Sequence, residues 1–358
     1  MSKSKVTFRV VAVAVVGVSL YIVAPSLISS FSAWPELTSL APGWFVLVIG
    51  LEAASFVCMW WLQRLLFRTT RWYEIATSHL AGFSMGKIVP GGGAAGAALQ
   101  LRMLRSTGVD TGSAATGLAA FSVLQTTAVL GLPLLTLPFV LGGTRVDAGL
   151  AQAAVLGAIA FVVVAGFGAC ALFADWPLLF VGSIVSKVKR RLTRKRATGA
   201  ELSATLISNR NTLRQVLGRQ WKLATVAIFG KILLDYLALL SALHAVGAHP
   251  HPALVLLAYT AQGVMAMVPF TPGGLGFVEA GLTAALVLAG VSAAEATLAV
   301  LFYRLASYWI PLGLGGLAYV AFTTRPARLR SGPRADRRES LDAGPQGPGE
   351  SPPVPGIE

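Results

Sequence analysis

The chain has 358 residues, 55% hydrophobic and 12% charged, with a mean hydropathy of +0.69 and a formal net charge of +14. That balance excludes a soluble globular domain and predicts an all-α polytopic integral membrane protein, because apolar runs of about 18 or more residues recur and each can cross roughly 30 Å of hydrocarbon. The positive charge sits in loops, where it marks the cytoplasmic side of a membrane protein, so no nucleic-acid partner is expected.

Lys3, Lys5 and Arg9 precede the first apolar run, residues 10–28. This start imitates a signal peptide with a cleavage site near Ser30–Ala33, but the polytopic domain that follows favours an uncleaved first span and a cytoplasmic N-terminus. Residues 43–62 form the second span, and Arg64, Arg68 and Arg71 place its end in the cytoplasm.

Residues 75–89 and 94–104 are too short to cross singly and are separated by Pro90, Gly91, Gly92 and Gly93. Basic residues flank the pair on both sides, which predicts a re-entrant hairpin entering from the cytoplasm. Residues 113–141 are a full span, and residues 149–173 another. Cys58 and Cys170 fall in spans and read as small buried hydrophobes, not as a disulfide. His244, His249 and His251 have no zinc-like spacing, and no metal or other cofactor is expected.

Residues 187–222 hold eleven basic residues against one acid, Glu201, giving a cytoplasmic loop of about +10. Within it Leu202, Leu206, Leu213, Leu217 and Trp221 recur at helical spacing, which predicts an amphipathic helix on the inner leaflet.

Residues 223–246 cross back outward. Residues 253–268 and 277–289 are again half-length, separated by Pro269 to Gly276 and including Pro272, Gly273 and Gly274. Lys and Arg are absent from residue 250 to residue 291, so this second hairpin is expected to enter from outside. Residues 297–323 return inward to Arg325, Arg328 and Arg330. Residues 325–358, rich in Pro, Gly, Arg and acids, read as a disordered cytoplasmic tail after a membrane domain of residues 1–324.

The predicted architecture is therefore about six full spans plus two broken hairpins. Residues 43–141 and 223–323 form an inverted repeat, a pattern that places a transport site near the bilayer midplane. The alternative makes the half-length segments into tilted spans, one crossing for each broken pair, for eight crossings.

A charge at mid-span costs about 2.5–3.5 kcal/mol on insertion scales, so such residues are functional candidates. Six occur: Glu52, Lys87, Lys231, Asp235, Glu279 and Arg304. Lys231 and Asp235, four apart, share a helix face and can pair. Glu279 opens a half-helix, where the positive helix end favours it, and can also meet Arg304. Lys87 beside the free amides that follow Gly91 makes a phosphate seat, although Lys87 could equally snorkel to the headgroups. Arg102 and Arg105 read as interfacial, holding anionic lipid headgroups. The chain has no GxxxxGK[ST], GxSxG or HExxH pattern, so a transport activity is expected and not an enzyme.

The two breaks with their flanks resemble the membrane domain of the lysylphosphatidylglycerol synthases and its free-standing bacterial relatives. The match rests on Pro90-Gly91-Gly92-Gly93-Ala94-Ala95-Gly96 through Arg102-Met103-Leu104, and on Pro269 with Thr271-Pro272-Gly273-Gly274-Leu275-Gly276-Phe277-Val278-Glu279. It covers about residues 5–325. The resemblance implies translocation of a phospholipid between leaflets, here without the soluble domain that makes the lipid. Many relatives carry a Gly-Glu pair soon after the first Pro, whereas this chain has Ala94-Ala95 and no acid until Asp110.

Three functions fit. The first is translocation of a phospholipid or other lipid-linked headgroup in a bacterial-type cytoplasmic membrane, with anionic headgroups as partners. The second is secondary transport of a small polar or anionic solute. The third is an accessory subunit of a cell-envelope lipid-modifying enzyme. The oligomeric state has no signature in the sequence.

Overall fold

The structure is a computed structural model that describes residues 41–67, 69–89, 92–141, 199–266 and 272–325, with isolated positions between 152 and 179. The expected first span, the span at 149–173, the start of the basic loop, Pro90, Gly91, residues 269–271 and the tail lie outside the described residues or are described only at isolated positions.

Every element described in full is helical. Helix α1 is Pro42–Phe67, α2 Trp72–Ile88, α3 Gly93–Ser106 and α4 Thr111–Leu141. Helix α5 is Gly199–Ala245, α6 Pro252–Met265, α7 Phe277–Leu288 and α8 Ala293–Thr324. Helix α1, residues Trp221–Ala245 of α5, and α8 are long and apolar enough to cross a membrane. The 31 residues of α4 give it the same reach.

Helices α2 and α3 pack against each other as a hairpin. At about 1.5 Å per residue they extend roughly 26 and 21 Å, short of the hydrocarbon thickness, and so read as a re-entrant pair. Glycines close it: a Cβ on Gly96 would run into the carbonyl oxygen of Gly82, so the two backbones touch at a distance no side chain allows. Between membrane helices, where burial from water no longer drives association, such small-residue contact supplies the packing. Gln100 Nε2 donates to Gln63 Oε1 at 2.8 Å and ties α3 to α1. Asp110 then opens α4; its carboxylate accepts from Ser113 N at 2.8 Å, and that bond holds its pKa below the ordinary carboxylate value.

The second hairpin, α6 with α7, is built alike. The described part of its break contains a 3-10 turn, Pro272–Gly274. Ser292 and Glu295 form a reciprocal capping box that starts α8.

Two elements differ from the sequence reading. The amphipathic stretch expected on the inner leaflet is continuous with the next span, in one 47-residue helix. Its basic and leucine-rich turns contain no Pro, so nothing local ends the helix where the charge changes. The last span is interrupted by a π turn, Leu305–Trp309, in which Ile310 N donates to Leu305 O. Pro311 explains it: proline lacks an N–H and crowds the carbonyl one turn back, and the wider turn relieves that conflict. Both cysteines are free, but Cys58 is only half-buried and Cys170 is exposed, against the expectation of burial.

The packing joins the two halves reciprocally. Helix α1 lies along α5, the C-terminal part of α8 packs on α2, and α4 packs on α6. Each half thus lends its last span to the other half's hairpin. Ser84 in α2 donates to Leu312 O of α8 at 2.8 Å across this contact. Large apolar side chains such as Val46, Val226, Phe229 and Leu317 face outward, the composition expected against lipid tails.

Candidate functional site

Between the two hairpins lies a cavity of about 710 Å³. Its walls come from both halves, and the two breaks meet there. Gly273 has φ +62°, a backbone region favouring glycine; a Cβ on it would collide with the Tyr308 hydroxyl and lie 3.1 Å from Lys87 O. The turn of the second break therefore rests on the C-terminal end of α2.

A cationic group forms at this meeting point. Tyr308, on the π turn, has the Arg304 guanidinium 4.4 Å and Lys87 Nζ 5.5 Å from its ring centre. Lys87 also lies 5.4 Å from the Phe83 ring. Such cation–π contacts hold charges in place where water is scarce. Arg304 Nε donates to Glu279 Oε1 at 2.8 Å, and Nη2 lies 2.7 Å from the same oxygen. Arg304 is thereby paired, while Lys87 has no carboxylate partner among the described residues. Gly92 and Gly93 line the same cavity at the start of α3, where first-turn amides and the helix dipole favour an anion.

A second polar group lies on α1 and α5. Lys231 Nζ donates to Asp235 Oδ2 at 2.6 Å, Tyr259 OH donates to the same oxygen at 2.9 Å, and Tyr303 OH donates to Oδ1 at 2.6 Å. Asp235 is thus held by helices α5, α6 and α8 together. Glu52 of α1, also buried, lines the same cavity.

The candidates named from sequence separate by position. Lys87, Gly92, Gly93, Lys231, Asp235, Gly273, Gly274 and Arg304 line the cavity. Glu279 stands behind Arg304 as its counter-ion. Arg102 is exposed on α3 and does not line the cavity. Pro272 belongs to the 3-10 turn, and Pro90 and Gly91 are outside the described residues.

Sequence reasoning missed the tyrosines and His79. Tyr303 and Tyr308 bracket Arg304 in the chain, and this proximity to an intramembrane charge was the available signal. His79, which accepts from Trp60 Nε1 at 3.0 Å and stacks near Phe56 and Phe121, gave none.

No curated protein and no solved structure matches the chain. The family described as the lysylphosphatidylglycerol synthase TM region matches residues 9–315, nearly the whole membrane domain. With the paired hairpins and the helical fold already in view, the chain belongs to that family of membrane domains.

Proposed function

We propose that this protein moves a phospholipid, or another lipid with an anionic phosphate-bearing headgroup, between the leaflets of a bacterial-type cytoplasmic membrane. Both termini would face the cytoplasm. The observation that carries the reading is the meeting of the two breaks in one cavity beside Lys87 and Arg304. Broken helices are tolerated at membrane depth only inside protein or along a wet cavity, and that is where transport pathways lie. Membership of a lipid-associated membrane family supports a lipid over a free solute.

In this scheme the phosphate meets Lys87 and the amides that open α3, while acyl chains stay in the surrounding lipid. Glu279 holds Arg304 in place, and Gly273 lets the second break close on the first. No covalent bond is made or broken, so the activity is translocation and not catalysis.

The test is translocation by purified protein in liposomes. Fluorescent phosphatidylglycerol in the inner leaflet is scored by its exposure to an impermeant quencher. The expected result is faster exposure than in protein-free vesicles. Lys87→Gln removes a charged hydrogen bond worth about 1.5–3 kcal/mol and should slow exposure by roughly tenfold or more. Absence of exposure with several headgroups, with and without a pH gradient, would turn the reading to a solute carrier or a partner subunit.

A further inference from the structure

The cavity contains one carboxyl more than its second polar group can balance. On α1 and α5 there are two carboxyls, Glu52 and Asp235, and one ammonium, Lys231. Asp235 is saturated, with Lys231, Tyr259 and Tyr303 all donating to it. Glu52 is the residue left over. It is 4% exposed, it lines the cavity, and its Oε1 is buried with no hydrogen-bond partner. Asp235 is a second carboxyl in the lining of the same cavity, and like charges in one buried group disfavour ionising both.

We propose that Glu52 is a proton-binding site whose occupancy is linked to the anion bound at Lys87 and Arg304. The inference rests on the proposed function for its role in transport, but proton binding stands on the cluster itself. Sharing the cavity lining with Glu52 are Lys231 and Asp235 of α5, Tyr259 of α6, and Tyr303, Arg304 and Tyr308 of α8. His79 and Lys87 of α2 complete the set, while the described lining residues of α4 are uncharged.

The linkage follows from charge. With the anion site empty, the ammonium of Lys87 in the same cavity offsets an ionised Glu52, while Arg304 is already offset by Glu279. An anionic headgroup neutralises Lys87, and the cluster Glu52–Asp235–Lys231 then carries an uncompensated negative charge in a medium of low dielectric. A proton from cavity water moves onto Glu52 and restores neutrality. Anion and proton therefore bind together, and by reciprocity each favours the other. Carried across and released together, they couple lipid movement to a proton gradient.

Two measurements on the full chain in phosphatidylcholine nanodiscs test this without any transport. Infrared difference spectra from about pH 4 to about pH 9 should show a protonated-carboxyl band that titrates and is lost in Glu52→Gln. Adding dihexanoyl phosphatidylglycerol at the midpoint of that titration, in weak buffer with a pH dye, should draw up to about one proton onto each wild-type protein. Glu52→Gln and Lys87→Gln should each take up none. Glu52→Gln keeps the shape of the side chain, and thermal unfolding of the variant confirms that it is folded. Absence of a Glu52-dependent band, or equal proton uptake by Glu52→Gln, overturns the proposal. In liposomes an outward proton gradient (acidic lumen) should speed quencher exposure several-fold in wild type and have no such effect on Glu52→Gln. If no lipid moves in any vesicle, the proposed function falls, while the infrared and dye measurements still decide the proton site.

Discussion

Lys231 and Asp235 lie one helical turn apart with their charges in contact, and two tyrosine hydroxyls from other helices converge on the same carboxylate. Removing one partner of a buried pair leaves an uncompensated charge, at a cost of about 3–5 kcal/mol. Lys231→Leu should therefore be severely destabilised, more so because Glu52 is a second buried carboxyl in the same cavity. Changing Lys231 and Asp235 to Leu together removes both charges, and its thermal unfolding temperature should lie closer to wild type than that of Lys231→Leu. The loss that remains comes from Tyr259 and Tyr303, whose hydroxyls no longer have their acceptor, at roughly 1–3 kcal/mol for each left buried and unpaired. Equal stability of the single and double variants would mean that the pair carries no buried charge to uncover. The charges themselves were legible in the sequence, because an ionised side chain in an apolar run stands out against its cost. Their tyrosine partners were not, because a tyrosine in a span is unremarkable until its hydroxyl is seen to reach a carboxylate from another helix.

Helices α2 and α3 owe their hairpin to backbone contact, and this is testable with matched substitutions. Gly96→Ala puts a methyl group into the Gly82 carbonyl, where the obstacle is backbone and cannot swing aside. The hairpin must open, at about 1–3 kcal/mol as for other overpacked sites. Gly93→Ala, three residues earlier, meets nothing within 4 Å. Unfolding by heat in detergent should show a lower midpoint for Gly96→Ala and an unchanged or slightly raised one for Gly93→Ala; equal shifts would remove the packing role of the glycine contact. Element boundaries here were legible to within a few residues, because Pro and Gly stop helices for local reasons that a sequence displays. Segments expected at 75–89 and 277–289 appear as Trp72–Ile88 and Phe277–Leu288. Where charge alone suggested a boundary, at the junction between the basic loop and the span after it, the helix runs through. The π turn before Pro311 went unread because that proline was not weighed against the carbonyl it displaces.

The largest-scale regularity is the exchange of partners between halves: α8 on α2, α4 on α6, with α1 and α5 side by side. Hydropathy and positive charge suggested the inversion, but only packing shows the halves interlocked, since partner choice depends on contacts far apart in the chain. Interlocking brings both breaks to one cavity, and an inverted repeat would open the hairpins toward opposite faces of the membrane. The bases of the two hairpins should then react from opposite sides. Ser106 ends α3 beside Arg102 and Arg105, and Ala293 begins α8 in a stretch without Lys or Arg; both are exposed. In a variant with Cys58 and Cys170 replaced by Ser, Ala293→Cys should be labelled by an impermeant maleimide on intact cells. Ser106→Cys should be labelled only after the membrane is opened. Labelling of both from one side would place the hairpin bases on the same face. The reciprocal packing would then be an accident of a parallel arrangement, and alternating access through the shared cavity would lose its structural basis. Labelling from opposite sides would make each hairpin the gate for one leaflet, with Lys87 and Arg304 at the point where the two gates meet.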